Sequence, residues 1–524
     1  MTESITLESF GALYRQHIPY WRLLTDQGII TREILAFEYV GAGTDNDPFA
    51  VTWIPNDPRN PLLFSTVKKV IITLAISFST LTVSLTSSAY SGSIHQVMLY
   101  FEVSTEVATV GLSLFVFGFA VGPLFWAPLS EVLGRQLPFF ISTLGMAVFS
   151  AGCTGARNIE TLLILRLLAG AFGSSPLTNG GGTISDMFVA RQRALAISLY
   201  AAAPLLGPTL GPIIGGFIGM KAGWRWVEGF LAVTAGLVWL TISIAVPETY
   251  APLLLRRRAK TLSRVTGKVY HSKFDLGREK QSTYRLLSNS MSRPLILLFS
   301  EPVVQLFSVY GAIIYGTLYM LFAAFPIVYE EGRGWNPGVG GLAFLGVMIG
   351  MIFGMLMTIP VNILYRRVQD ANEGYAPPEA RLPGMMLAAI VTPIGLFWFA
   401  WTNSETIQWS VSVIAGALFG FGIVLIYLGI MNYLIDSYTI YAASVLAASA
   451  ILRSVFGAAF PIFTNYMYRS LGIHWASSIP AFLTVLCMPA PFLFYKYGPA
   501  IRARCKHSAK SQIYMERLYA NAAS

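Results

Sequence analysis

Two arginines lie within stretches of the sequence that are otherwise apolar. Arg166 is near the start of one such stretch, and Arg453 is near the middle of another. A charged side chain inside a membrane costs at least ~2.5 kcal/mol on insertion scales, so it generally faces a cavity or an ion path. The alternative is a side chain that extends to the lipid interface, where its charge is hydrated. We predict that both arginines serve function and that Arg453 lines a substrate cavity.

No Asp or Glu lies deep within an apolar stretch, so the carboxylates closest to the membrane lie near the ends of the stretches. Five carboxylates lie near such ends: Glu131, Asp186, Glu228, Glu301 and Asp436. A proton carrier is therefore one of these groups, or it acts through Arg166 and a chain of water molecules. We assign ion coupling to Asp186 and Asp436, which follow the fourth and tenth stretches, together with Arg166.

A possible gate lies between the second and third apolar stretches, where Glu131 is followed by Gly134 and Arg135. A carboxylate and an arginine that pair in one conformation and separate in another act as a latch. The alternative is an ordinary loop in which both charges are solvated. We predict that Glu131, Gly134 and Arg135 form a gate.

Polar aromatic side chains are concentrated in the seventh and tenth apolar stretches. Such rings offer a large apolar area with a polar tip, which suits amphiphilic ligands. Tyr315 and Tyr319 are four residues apart and share one helix face. The alternative for each ring is packing or an interfacial belt. The predicted cavity residues beside Arg453 are Tyr310, Tyr315, Tyr319 and Asn432.

A run of glycines and prolines lies within the fifth apolar stretch, from Gly207 to Gly216. Glycines spaced by four let helix backbones approach closely in lipid, and prolines bend a helix by removing backbone donors. We predict that the run permits helix movement during transport. Its proposed members are Gly207, Pro208, Gly211, Pro212, Gly215 and Gly216.

All of these residues lie in or beside segments that we predict to be membrane helices. The chain is 54% hydrophobic and 12% charged, against roughly a quarter charged in soluble domains. Twelve windows are each long enough to cross about 30 Å of hydrocarbon. They lie at about 68–90, 107–129, 137–155, 161–184, 194–217, 226–246, 303–328, 338–359, 384–401, 409–434, 441–466 and 475–495.

Charge predicts the orientation of these helices. The net charge is +10, but only five basic residues fall in alternate loops: Arg157, Lys221, Arg225, Arg333 and Arg469. Basic residues favour the cytoplasmic side, so both termini are expected there and nucleic acid is not an expected partner. Eleven Lys and Arg lie between Arg256 and Arg293, where they contact anionic lipid or are simply solvated.

The chain divides into two halves around its longest internal polar segment. The expected parts are an N-terminal extension (1–66), a six-helix bundle (67–246), a basic connector (247–302), a second bundle (303–495) and a tail (496–524). A weak repeat supports the division, because Gly207 follows Asp186 by the same interval as Gly457 follows Asp436. Transporters with two such halves bind substrate between them.

Several motifs resemble those of a known family. The spacing from Gly207 to Gly216 resembles the fifth-helix motif of antiporters in the major facilitator superfamily. The sequence from Pro247 to Leu255, P-E-T-Y-A-P-L-L-L, is similar to the fungal branch of its drug:proton antiporter-1 family, which includes polyamine and azole exporters and toxin pumps. The resemblance implies an all-α membrane fold of twelve helices in two pseudosymmetric bundles. It also implies that Arg166, in an R-x-x-x-G motif, takes part in proton transfer.

These observations predict a proton-coupled exporter of small hydrophobic or amphiphilic molecules. The expected partners are substrate, protons and the bilayer. The expected location is the plasma membrane, or alternatively a vacuolar or vesicle membrane. We expect the protein to act as a monomer. We also expect no enzyme activity, metal or other cofactor, because no nucleotide-binding glycine loop or paired cysteine motif occurs. The alternatives are a polyamine or nutrient transporter of the same fold and a non-transporting receptor. Arginines without deep acids favour neutral or anionic substrates.

Overall fold

The computed structural model describes residues 18–276, 283–372 and 376–512, apart from the side chains of 190–195, 198 and 283–290. The helices up to residue 300 are α1 (Tyr20–Thr25), α2 (Arg32–Ala36), α3 (Thr66–Ala89), α4 (Ile94–Phe101), α5 (Thr105–Leu133), α6 (Gln136–Thr154), α7 (Ile159–Gly173), α8 (Ser175–Met187), α9 (Ala190–Ala222), α10 (Trp224–Ala245), α11 (Ala251–Thr266) and α12 (Thr283–Ser300). The remaining helices are α13 (Pro302–Phe325), α14 (Pro337–Leu342), α15 (Phe344–Ala371), α16 (Pro383–Thr402), α17 (Trp409–Ser437), α18 (Ala442–Cys487) and α19 (Pro489–Arg504). Two short strands complete the fold, β1 (Phe49–Val51) and β2 (Tyr270–Ser272).

Eleven segments among the described residues are long and apolar enough to cross a membrane. The last, Thr439–Arg504, has 66 residues, which as one helix would extend roughly 99 Å, about three bilayer cores. Gly472 interrupts it with a left-handed φ of 75°, so this segment supplies two crossings. The predicted all-α membrane architecture with twelve crossings is confirmed.

Prolines do not break the long helices. Pro204, Pro208 and Pro212 all lie within α9, which remains helical over its 33 residues. In a bilayer, neighbouring helices and side chains satisfy the carbonyls that proline leaves without a donor. A proline instead marks a helix start in α8, where Pro176 occupies the first turn after Ser174.

The segment before the first crossing folds against the basic connector. β1 pairs with β2 in parallel, with Phe49 opposite Tyr270. Buried apolar side chains from both segments form a small core beneath this pair: Ile34, Tyr39, Val51, Ile54, Leu255, Ala259 and Leu262. The Arg258 guanidinium donates to Asp57 at 2.5 and 3.2 Å, and both side chains are buried. The extension from residue 18 onward therefore packs against the described part of the connector.

Candidate transport site

Arg166 lies in a closed set of hydrogen-bond acceptors among the first six crossing helices. Its guanidinium forms an ion pair with Glu228 on α10 at 2.6 Å, and each side chain is only 1% exposed. It also donates to the carbonyls of Gly111 at 2.8 Å and Thr86 at 3.3 Å, and it lies 4.2 Å from the Tyr90 ring centroid. Arg166 therefore does not extend to the lipid interface.

Glu228 requires a correction of the expectation that every carboxylate is peripheral. It is near the start of α10 in sequence, yet it is buried against Arg166. Charges in such surroundings persist only when paired and hydrogen-bonded. Arg166 bonds to neither Asp186 nor Asp436, whose side chains have other partners. The structure thus separates the three residues that we predicted to act together in coupling.

Close packing of α5 on α7 brings the Gly111 carbonyl to Arg166. A Cβ at Gly118 would overlap the backbone of Gly170, and one at Gly170 would overlap the Phe115 carbonyl. Small residues at a membrane interface allow this approach of two backbones. The Arg166 pocket is therefore built from backbone contacts as well as side chains.

A central cavity lies between the first six and last six crossing helices. Its volume is about 10 Å³, room for about one water molecule and far below the ~300–1,000 Å³ typical of ligand sites, so the helices around it must separate before a ligand can enter. Arg453 lines it, and its guanidinium lies 4.9 Å from the Tyr315 ring centroid and 4.8 Å from that of Tyr427. The other lining residues are Leu205, Gly311, Ile314, Ile423 and Ile426. The structure thus brings Arg453 and Tyr315 together, as predicted from sequence.

Tyr319 connects this cavity to α3. Its hydroxyl lies 2.6 Å from Ser87 Oγ and 3.4 Å from the Tyr315 hydroxyl. Tyr310 and Asn432 are not among the residues that line this cavity, and their role in substrate binding stays a prediction. Tyr310 is fully buried, and its hydroxyl has no hydrogen-bond partner among the described residues. Tyr427, which does line the cavity, was not among the predicted site residues.

The predicted pair of Glu131 and Arg135 is not formed. Glu131 is exposed, whereas Arg135 donates to Ser130 at 2.7 Å and pairs with Asp186 at 3.4 Å. The difference arises because Glu131 lies on the exposed side of α5, while Arg135 precedes the first residue of α6 and faces the end of α8. Asp186, predicted for coupling, is thus paired with Arg135 of the predicted gate.

Glu248 is the carboxylate that organises this cluster. Its side chain accepts from the backbone N–H groups of Arg135 at 2.9 Å and Gln136 at 3.1 Å, at the start of α6. Gly134 has a left-handed φ of 89°, and a Cβ there would overlap the Glu248 carboxylate. Arg59 donates to the Glu248 carbonyl at 3.0 Å. Burial lowers the pKa of Arg59 to about 10, so its charge persists at neutral pH.

A matching ion pair lies in the second half of the chain. Asp436 at the end of α17 accepts from Arg381 at 2.8 Å, in the position that Asp186 has relative to Arg135. The Arg381 guanidinium also lies 3.4 Å from the Tyr365 ring centroid. Arg381 was not identified from sequence, although the repeat that relates Asp186 to Asp436 predicts a basic partner for the second aspartate.

The glycine–proline run on α9 has two distinct faces. Each Cβ added at Gly207, Gly211 or Gly215 would overlap α3, which belongs to the same half. A Cβ at Gly216 would instead overlap the carbonyl of Pro337 in the other half. Pro212 also faces that half, through Gly341. Of these two faces, the second contacts the last six crossing helices; Pro208 lies within the same helix.

Comparison with known proteins identifies similar chains. The family model for the Major Facilitator Superfamily matches residues 76–461. The "Major facilitator superfamily multidrug transporter mdrA" of Aspergillus fumigatus is 58% identical over 96% of this chain and 83% of its own length. The "Efflux pump FUB11" of Gibberella moniliformis is 46% identical over 95% of this chain and 84% of its own length. The xylose transporter XylE from E. coli, in a partially occluded inward open conformation, superposes with a TM-score of 0.59 at 16% identity, covering 82% of this chain and 98% of that chain.

Proposed function

Because the chain belongs to the major facilitator superfamily, we propose that it is a proton-coupled exporter of small amphiphilic molecules in the plasma membrane. Relatives that cover most of the chain are named as a multidrug transporter and efflux pumps. The Arg166–Glu228 pair is the observation that carries the coupling part of this proposal. Glu228 is a buried carboxylate that can take up a proton. Arg166 lies beside it and loses its counter-charge when Glu228 is protonated.

The proposed coupling works through the charge of Glu228. While Glu228 is ionised, its pair with Arg166 ties α10 to α7 at 2.6 Å. A proton on Glu228 removes the ion pair and leaves Arg166 held by carbonyls of α3 and α5. Arg166 on α7 then remains bonded to α3 and α5 but no longer forms an ion pair with α10. This change biases the equilibrium between outward-facing and inward-facing states.

The proton gradient supplies enough free energy for export. One proton that moves through 100 mV releases about 2.3 kcal/mol. Since about 1.4 kcal/mol corresponds to a tenfold ratio, this alone sustains roughly a fortyfold gradient of a neutral substrate. No nucleotide needs to bind.

The cluster around Glu248 is the proposed gate. Arg135 joins the start of α6 to Asp186 at the end of α8, and Arg381 with Asp436 does the same for the second half. Each pair is partly exposed, with side chains 14–24% accessible, so each contributes modestly and can break during movement. We propose that bundles 67–246 and 303–495 rock about the central cavity while these pairs open and close.

A dye-efflux experiment tests the proposal. Yeast cells that lack their own drug pumps express the protein and are loaded with Nile red, a neutral amphiphile, or fluorescein, an anion. After ATP depletion, an imposed acid-outside gradient should drive efflux of at least one dye, and a protonophore should abolish it. Export that follows ATP and ignores the gradient would refute proton coupling. Absence of gradient-driven efflux for both dyes, at normal surface abundance, would refute the exporter.

Variants at the pair separate coupling from movement. Glu228→Gln should retain dye exchange down a concentration gradient and lose the response to the imposed pH gradient. Glu160→Gln is a matched control, because Glu160 is exposed in the first turn of α7 and forms no described ion pair. An unchanged pH response in Glu228→Gln would assign the proton to another group.

A further inference from the structure

The charge of Arg453 has no counter-charge among the described residues. The ion pairs of the described chain do not include it, and its Nε has no hydrogen-bond partner. Its contacts are instead the faces of Tyr315 and Tyr427 and a side-chain hydrogen bond with Tyr427. The two rings orient the planar guanidinium beside the cavity without consuming all its donors. An arginine in this state is ready to bind an external acceptor.

We infer that the central cavity receives a small, mostly apolar molecule carrying one acidic group, and that Arg453 binds this group. This inference rests on the proposed exporter function, whose substrate it assigns to a chemical class. A carboxylate or an ionised enol supplies the negative charge that the cavity lacks. The fork of N–H donors on arginine matches a carboxylate in two parallel hydrogen bonds.

The walls of the cavity define the remainder of the ligand. Leu205, Ile314, Ile423 and Ile426 present aliphatic surface, and none of the residues that line the cavity carries a negative charge. An organic cation would be repelled by Arg453, because no acid in the cavity compensates the two positive charges. An apolar ligand would leave the charge of the guanidinium unpaired. An amphiphilic acid satisfies both the aliphatic walls and the unpaired cation, because a charged acceptor binds a guanidinium more strongly than a neutral one.

A binding measurement without any gradient tests this inference. Purified protein in detergent at neutral pH is titrated by calorimetry with 2-naphthoate and with 2-naphthamide, which has nearly the same shape but no charge. Naphthoate should bind at least about tenfold more tightly, as charge-assisted hydrogen bonds are stronger than neutral ones. Arg453→Gln should remove the difference, whereas Arg453→Lys should keep part of it. Arg469→Gln, at an exposed position, should keep all of it.

Three results would overturn the inference. One is equal affinity for the acid and the amide in the unaltered protein, a comparison that needs no variant to fold. Another is an undiminished preference in Arg453→Gln. The third is full displacement of naphthoate by chloride at physiological concentration, which would indicate a site for inorganic anions. Because no step of this assay involves transport, a failure of dye efflux leaves its result intact, and the reverse also holds.

Discussion

Arg166 and Arg453 are the same residue type in similar surroundings of packed membrane helices, yet their partners differ. Arg166 meets one carboxylate and two backbone carbonyls. Arg453 meets two aromatic faces and a cavity. The protein thus compensates one cation internally and leaves the other for a ligand. The two side chains also differ in burial, because Arg166 is 1% exposed and Arg453 has intermediate exposure. The acceptors around each are the basis for proposing coupling for Arg166 and ligand binding for Arg453.

The largest expected effect follows removal of the internal partner of Arg166. Glu228→Gln leaves the guanidinium buried without a counter-charge, which should lower the free energy of unfolding by about 3–5 kcal/mol. The apparent Tm in detergent should fall clearly below that of the unaltered protein. An unchanged Tm would mean that the pair contributes little, and it would remove half of the comparison.

A double variant separates stability from coupling at the same pair. Arg166→Met combined with Glu228→Met replaces both charges with apolar side chains, an exchange that is often neutral or stabilising. It should recover most of the lost Tm while efflux no longer responds to a pH gradient. If the double variant were as unstable as Glu228→Gln, the loss would lie in packing and not in the unpaired charge.

Removal of Arg453 should have the opposite pattern. Arg453→Gln removes a charge without stranding a partner, so the free energy of unfolding should stay within about 1 kcal/mol of that of the unaltered protein or rise. Dye efflux of fluorescein should nevertheless decrease about tenfold, a change of ~1.4 kcal/mol in binding. A Tm loss as large as that of Glu228→Gln would show that Arg453 has an internal partner after all.

The smallest expected effect concerns the rings that orient Arg453. Tyr427→Leu removes one cation–π contact, worth about 1 kcal/mol, so naphthoate affinity should fall roughly fivefold. Tyr427→Phe retains the aromatic face and should bind within about twofold of the unaltered protein. Equal losses in both variants would assign the contribution to the hydroxyl instead of the ring.

Much of the fold and part of the site follow from sequence alone. The twelve crossings were predictable because uninterrupted apolar stretches have few other uses, and Arg453 was identified as the charge at mid-span. Tyr310 and Asn432 lie away from the cavity for one geometric reason. Each is five residues from a tyrosine that does line the cavity, Tyr315 and Tyr427, and five residues rotate an α-helix by about 140° from the original face.

Other features depend on contacts between distant segments. The bond from Arg166 to Glu228 joins residues 62 positions apart, and no periodicity within one helix predicts which helices are neighbours. The gate is similar, since Glu248 accepts from a backbone N–H group more than 100 residues earlier. A single sequence identifies the charges but not their pairing, because pairing depends on how the helices are arranged around each other.

The pairing of β1 with β2 also has a consequence for biogenesis. Phe49 and Tyr270 are separated by about 220 residues, so β1 leaves the ribosome long before its partner strand exists. Six crossing helices enter the bilayer in the interval, while Ile34, Val51 and Ile54 have no connector to cover them. Contacts between distant segments form slowly, and exposed apolar surface attracts chaperones. Docking of the N-terminal segment on the connector therefore has to follow synthesis of the first six crossing helices.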